Sequence, residues 1–355
     1  MHRPASPFPE AFSEALPDAL SGARSETLSD MLSDALSRRA VLRRWGAAVA
    51  GGSLLPGLAV PTVQAEPNGP VGPAGAAGQA MQLASGIHLK DALGRAVWLP
   101  RPPRRIVTIF SSNTELVASL GLVDRIVGVE DFTRYPAEVL GLPKVGGRLG
   151  FSVDAVVAQR PDLVIVTPAR QAATQLVAPM ERIGVPIMVL LSRTLQEVLD
   201  NIRLVSQACG EPERGDALAG TLHARLQAVD ATVAGRPQLR ALMVTGRAGN
   251  GMLLLARPGT YTGEAMVRAG CQHALPALGV LAQVSPEAVL AADPDVLLFA
   301  GNQAGLDDLL RQPGWRDMRA LRQRHCWTVS RSEFLIPGPR TFDGIESLAR
   351  QLHPI

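Results

Sequence analysis

The longest regular pattern in the chain covers residues 212–234, PERGDALAGTLHARLQAVDATVA. Leu218, Leu222, Leu226, Val229 and Val233 return every three or four positions, the spacing of one buried helix face. Pro212 sits in the first turn, where a helix tolerates proline, and Gly235 with Pro237 stops it. At a rise of 1.5 Å per residue this helix is roughly 35 Å long, enough to cross a small domain.

The stretches on either side of it repeat one another. Residues 151–166 read FSVDAVVAQRPDLVIV and residues 284–299 read VSPEAVLAADPDVLLF. Asp154 matches Glu287, Val156 matches Val289, and Pro161-Asp162 matches Pro294-Asp295, all at one constant spacing. Each stretch predicts a serine N-cap, an acidic first turn, a short helix, a Pro-Asp turn and an apolar strand. Two α/β halves joined by one long helix is the architecture this implies.

The remaining pattern fills in both halves. Residues 87–99 predict a hairpin around Asp91-Ala92-Leu93-Gly94. A strand at 106–110 is followed by Ser111-Ser112-Asn113, with Asn113 as N-cap of a helix to Leu120, then Gly121 and a strand at 126–129. Strand–helix–strand means a parallel sheet, whose ligands sit at the carboxyl ends of strands, here residues 111–113 and 130–135. A helix at 171–183, a strand at 186–190 and a capping box at Thr194-Leu195-Gln196-Glu197 complete the first half to Gly210. In the second half, strands at 240–245 and 252–256 flank a glycine-rich loop at 246–251. A helix at 263–269, a strand at 328–330 and a closing helix at 341–352 follow.

Composition narrows the function. A chain of 355 residues, 46% hydrophobic and 19% charged, is long enough for two ordered domains. The net charge of +3 is unclustered and no basic stripe carries interleaved aromatics, which argues against nucleic acid. Cys209, Cys271 and Cys326 show no CxxC spacing, and the six histidines form no HxH or HxxxH pair. No GxSxG, HExxH or P-loop lysine pattern occurs, and residues 246–251 lack the GxGxxG spacing. These absences lower the expectation of an enzyme.

The N-terminus predicts export. Ser37-Arg38-Arg39-Ala40-Val41-Leu42-Arg43 resembles the twin-arginine export motif, and residues 45–60 form a weakly apolar segment. That segment is shorter than the about 20 residues of a spanning helix. Val63-Gln64-Ala65 suits small-residue cleavage, and no cysteine follows for lipid anchoring. Residues 1–65 thus read as a twin-arginine signal with a long leader, Met31 being an alternative start. Residues 66–86 read as a flexible linker.

One family resemblance is carried by RRIVTIFSSNTELVASLGLVDRIVGVEDFTRYP, then LPKVGG, then RPDLVIV. The S-N-T-E-L, Y-P and P-D-L-V-I elements together resemble the periplasmic substrate-binding proteins of cobalamin, haem and ferric-siderophore importers, from about residue 87 to 354. The resemblance implies an α/β fold of two Rossmann-like lobes with parallel sheets joined by one long connecting helix. Residues 87–210 would form the N-terminal lobe, 211–236 the connecting helix and 237–355 the C-terminal lobe. It further implies a monomeric periplasmic protein without cofactor, which passes a metal-chelate ligand to the permease dimer of an ABC importer. A corrinoid is the first expectation, then haem, then a ferric siderophore.

The same resemblance assigns roles to residues. Phe132 and Tyr135 lie on the loop that gives aromatic contacts to a corrinoid, and in haem members a tyrosine there can ligate iron. A flat macrocycle needs such apolar faces. No histidine or methionine stands near Tyr135 as a second axial ligand. Ser111 and Asn113 end the first strand. Arg148 and Arg247, with Arg134, are candidates to pair with ligand carboxylates or phosphate, which suit a guanidinium fork. Phe151, Tyr261 and Phe334, with Trp315, would line opposing walls. Asp154 and Glu287 match acids that dock onto permease arginines, although an acid in a first helical turn also suits the helix dipole. Two other readings remain: a free-metal-ion binding protein, which needs clustered His, Asp or Glu, and a periplasmic cofactor-containing enzyme exported folded.

Overall fold

The first-half hairpin forms as its pattern predicts, from β1 (Ile87–Lys90) and β2 (Ala96–Leu99), antiparallel with Ile87 opposite Leu99. Asp91 holds its turn: the carboxylate accepts from the N–H groups of Leu93 and Arg95, each at 3.0 Å, and of Val189 at 3.2 Å. The structure, a computed structural model, describes residues 86–147, 150–167, 172–278 and 282–354. The export signal at 1–65, nearly all of the 66–86 linker, and Arg148 lie outside the described residues.

After the hairpin come β3 (Ile106–Thr108), β4 (Ile126–Val129), the two-residue pair β5 (Gly146–Gly147) and β6 (Gly150–Phe151), β7 (Leu163–Val166) and β8 (Ile187–Val189). Four of them make a parallel sheet in the order β4-β3-β7-β8. Every residue of β3, β7 and β8 is buried, which is why these strands are apolar runs rather than alternating ones. The helices of this half are α1 (Ser111–Ser119), α2 (Val153–Ala158), α3 (Ala172–Arg182) and α4 (Leu195–Ala208).

The connecting helix α5 (Pro212–Val233) has 22 residues, with Pro212 in its first turn. It buries Gly215, Ala219, Leu222, Leu226 and Val229, while Leu218 and Val233 are partly buried. Gly215 has to be glycine because a Cβ would lie 1.9 Å from the Ser206 hydroxyl of α4.

The second half holds β9 (Leu239–Arg247), β10 (Leu253–Leu255), β11 (Cys271–His273), β12 (Gln283–Val284), β13 (Val296–Ala300) and β14 (Cys326–Val329). Their order is β12-β10-β9-β13-β14, with β11 also on β9. β9, β11, β13 and β14 pair in parallel, whereas β10 is antiparallel to β9 and β12. This sheet is therefore mixed. The expected loop at 246–251 is shorter than its glycines suggested, because β9 continues through Arg247, which pairs with Leu253. The helices are α6 (Tyr261–Arg268), α7 (Pro286–Ala292), α8 (Gln303–Leu310), α9 (Arg319–Arg322), α10 (Arg331–Phe334) and α11 (Arg340–Leu352).

Successive residues of the central strands face opposite cores, and this defines the layers. Leu163 and Ile165 of β7 join Leu298 of β13, Leu222 and Leu226 of α5 and Phe342 of α11 in one continuous core. Val164 and Val166 face the other way, into a core with Val156 and Leu176. Leu297 likewise turns away, toward Val289 and Trp315. Each sheet thus shares one face with the long helix and keeps the other to itself. The result is two α/β lobes joined by that helix, within one compact unit of the described residues.

One helix start differs from expectation. α1 begins at Ser111, not after Asn113, and its N-cap residue Phe110 has a left-handed φ of 79°. Asn113 is 1% exposed, and its amide donates to the Ile109 carbonyl at 2.6 Å and to Thr167 Oγ1 at 3.1 Å. It serves the sheet rather than a ligand. The cap comes from a distant residue instead: Glu130 accepts from the Ser111 N–H at 3.0 Å.

Candidate functional site

The carboxyl ends of both parallel arrays meet at one cavity of about 450 Å³. Phe110 and Ser111 follow β3, Glu130 and Phe132 follow β4, and Thr167 follows β7. From the second half Arg331 follows β14, and Leu335, Ile336 and Pro337 follow α10. Carboxyl ends of parallel strands are where open α/β sheets bind ligands. The lining combines the apolar Phe110, Phe132, Leu335, Ile336 and Pro337 with polar groups, from Ser111 to Arg331, that can orient an occupant.

Phe132 is 48% exposed, a large apolar ring left facing solvent at this cavity. Phe110 packs its ring 6.0 Å from that of Phe151, tilted by 52°, and Phe151 is partly buried. The buried carboxylate of Glu130 accepts from the Ser111 hydroxyl at 3.3 Å, and that hydroxyl also lies 3.3 Å from Thr133 Oγ1. Acidic charge at the start of α1 complements the helix dipole.

Arg331 is a lining residue that the sequence did not single out. Its Nη1 donates to the carbonyls of Thr245, near the end of β9, and Ala300, the last residue of β13, both at 3.1 Å. Two backbone acceptors hold a guanidinium over the sheet ends, and nothing in the residue pattern marks such acceptors. A guanidinium held there suits a carboxylate or another planar anion.

The other expected residues scatter. Tyr135 is 47% exposed but lines a neighbouring cavity of about 160 Å³, where the Arg340 guanidinium stacks 4.0 Å from its ring centroid. Phe334 is 1% exposed and belongs to the shared core, so it lines no wall, because α10 turns its ring inward. Trp315 is fully buried in the outer core of the second half. Tyr261 is partly buried against the shared core, and burial raises its phenol above the ordinary value. Arg247 pairs with Asp308 at 3.3 Å, and Arg134 folds back onto the carbonyls of Asp131 and Thr133.

Asp154 and Glu287 are both exposed in the first turns of α2 and α7. Their helices are capped identically: Ser152 Oγ accepts from Ala155 N at 3.1 Å, and Ser285 Oγ from Ala288 N at 3.2 Å. The backbone N–H of Glu287 itself, then the Ser285 hydroxyl, hold the Glu287 carboxyl below its ordinary range.

Among the described residues no cluster of three His, Cys, Asp or Glu side chains stands ready for a metal ion. Cys209 and Cys271 are buried thiols, each pushed up to about 12 chiefly by burial. Among the described residues no helix is long and apolar enough to cross a membrane. A larger cavity of about 560 Å³ lies between the hairpin and the edge of the first sheet, beside Trp98. It draws on the first half alone, and its Arg95 is already paired with Asp91 and Glu181.

Known proteins share this arrangement. The sequence profile of a family described as periplasmic binding protein matches residues 106–330. A vitamin B12-binding protein of Vibrio parahaemolyticus is 27% identical over 69% of this chain and 87% of its own length. A periplasmic haem-binding protein from Roseiflexus sp. RS-1, in apo form, aligns with a TM-score of 0.63 at 28% identity, covering 70% of this chain and 98% of its own. The periplasmic vitamin B12-binding protein of Vibrio cholerae gives a TM-score of 0.63 at 25% identity, over 71% and 98%. With its family profile spanning the strands of both sheets and more than half of the chain, this chain belongs to the periplasmic binding proteins.

Proposed function

We propose that this protein captures a metal-chelate nutrient of the corrinoid or haem class between its lobes and passes it to the permease dimer of an ABC importer. Members of its family are solute-binding proteins that deliver ligands to ABC importer permeases, not enzymes. The observation that carries the ligand class is the cavity of about 450 Å³ at the strand ends, where the exposed Phe132 ring and other apolar side chains stand beside the Arg331 guanidinium. A corrinoid is the first choice. Haem is the second reading, favoured by Arg331, whose guanidinium suits a ligand carboxylate. Iron ligation by Tyr135 would require that ring to leave its stack under Arg340. A ferric siderophore comes third.

On this reading residues 87–210 are one lobe, 211–236 the connector and 237–355 the other lobe, in a monomer exported by the twin-arginine route. Asp154 and Glu287, one on each lobe in matching frames, would be gripped together by the permease dimer. Absorbance and thermal melting with hemin, cyanocobalamin and a ferric siderophore in turn test the ligand class. Saturating ligand at about 100 times Kd adds about 2.7 kcal/mol to stability, so one compound should raise the Tm saturably. No shift with any of the three would refute the proposed class.

A further inference from the structure

We infer that Arg340 is a positioning residue that sets the width of the cleft, acting through a three-part clasp beside the ligand cavity; this rests on the cleft reading above. The buried Glu115 of α1 is 2% exposed and points at the start of α11. Its Oε1 accepts from the Arg340 backbone N–H at 3.0 Å, and its Oε2 from Arg340 Nε at 2.8 Å, with Nη2 at 2.7 Å. The guanidinium stacks 4.0 Å above the centroid of the Tyr135 ring. A Cβ on Gly338 would lie 2.7 Å from Glu115 Oε1, so only glycine lets the second half come this close.

The placement gives the clasp its role. Glu115 stands one helical turn after Ser111, Tyr135 three residues after Phe132, and Arg340 three residues after Pro337. Ser111, Phe132 and Pro337 line the cavity from three separate segments. Each of these three segments therefore supplies one member of the clasp, and Arg340 joins the other two. A fork donating to a buried carboxylate, with its flat face on an aromatic ring, fixes distance and orientation together, which a lysine cannot do. Losing it lets the lobes sample other widths, and apparent affinity falls with the fraction in the binding width.

Spin labels on Ile183→Cys and Arg311→Cys in a Cys326→Ser background, read by double electron–electron resonance without ligand, test this directly. Arg340→Ala, Arg340→Lys and Glu115→Gln should each broaden the inter-lobe distance distribution. Tyr135→Phe should keep it narrow where Tyr135→Ala does not. Arg225→Ala, which removes an ion pair between α5 and α11 away from the cavity, should leave it unchanged. Hemin and cyanocobalamin titrations of the same variants should show affinity down about tenfold in Arg340→Ala, if one molecule in ten keeps the binding width. Unchanged distributions in folded Arg340→Lys and Glu115→Gln would overturn the clasp, whatever they bind. If the wild type binds neither probe while the distributions broaden, the cleft reading fails and the clasp stands.

Discussion

Residues 152–166 and 285–300 build the same frame from the same chemistry, and the difference between them shows which parts are free to vary. In each, serine caps the helix and an aspartate receives the start of a parallel strand, β3 in the first half and β9 in the second. Asp162 accepts from the N–H groups of Arg104 at 3.0 Å and Arg105 at 2.8 Å, and Asp295 from that of Arg240 at 3.0 Å. Those strand-starting arginines then cap the short helices: Arg105 Nη2 donates to the Gln159 carbonyl at 2.7 Å and Arg240 Nη2 to the Ala292 carbonyl at 2.8 Å. Among the described residues, the second half alone adds another cation. Arg319 donates to Asp295 at 2.7 Å and pairs with Asp293 at 3.2 Å. The repeated frame fixes where each sheet begins, so its strand ends fall opposite each other, while the extra lock belongs to one lobe.

The largest test is whether the two halves unfold together. Ile165 and Leu298 are fully buried and face the one core shared through α5. Ile165→Ala and Leu298→Ala should each cost about 2–5 kcal/mol and shift a single transition in urea. Two separable transitions would mean that the shared core does not couple the lobes. Next in size is the aspartate pair. Asp162→Ala should cost about 1–2 kcal/mol, and Asp295→Ala somewhat more, because the half-exposed Arg319 loses one of its two carboxylate partners. Equal losses in chemical denaturation would remove the asymmetry.

The same asymmetry has a pH signature. Burial pushes the Asp295 carboxyl up, but the Arg240 N–H and the Arg319 guanidinium outweigh it and hold the group below its ordinary value. A depressed carboxyl binds its proton later in the folded state than in the unfolded chain. Its stabilisation is therefore present above the ordinary unfolded value and is lost as pH falls through the folded one. Asp295→Asn should flatten the rise of the urea midpoint with pH between about 3 and 5. An unchanged slope would contradict the assigned cause.

The smallest effect on stability, and the most specific on function, is expected at the two exposed acids. Asp154→Ala and Glu287→Ala should each leave the urea midpoint nearly unchanged. Ligand uptake by cells should fall in each single variant and further in the double. Full uptake with both acids removed would leave them a helix-dipole role alone.

Local patterns were legible because their causes are local. The period of Leu222, Leu226 and Val229 gave α5, Ser152 and Ser285 gave two helix starts, and the Pro-Asp pairs gave two strand entries. The misreadings share one cause, a partner far away in sequence. Asn113 looked like a cap because Glu130, which caps α1, arrives from another strand. Arg331 carried no signal because its anchors are the carbonyls of Thr245 and Ala300. Phe334 resembled a wall residue until the fold of α10 placed it inside. Tyr135 was visible as an aromatic loop residue, but its stack under Arg340 depends on the closing helix.

The central claim is that the ligand lies between the lobes and not in the larger cavity beside the hairpin. Calorimetric titration of hemin and cyanocobalamin into wild type, Phe132→Ala, Arg331→Ala and Trp98→Ala compares the two directly. The account predicts binding by wild type and Trp98→Ala alike, with about tenfold weakening, or 1.4 kcal/mol, in Phe132→Ala and Arg331→Ala. Weakened binding in Trp98→Ala, with the other two unchanged, would place the ligand at the hairpin and contradict it.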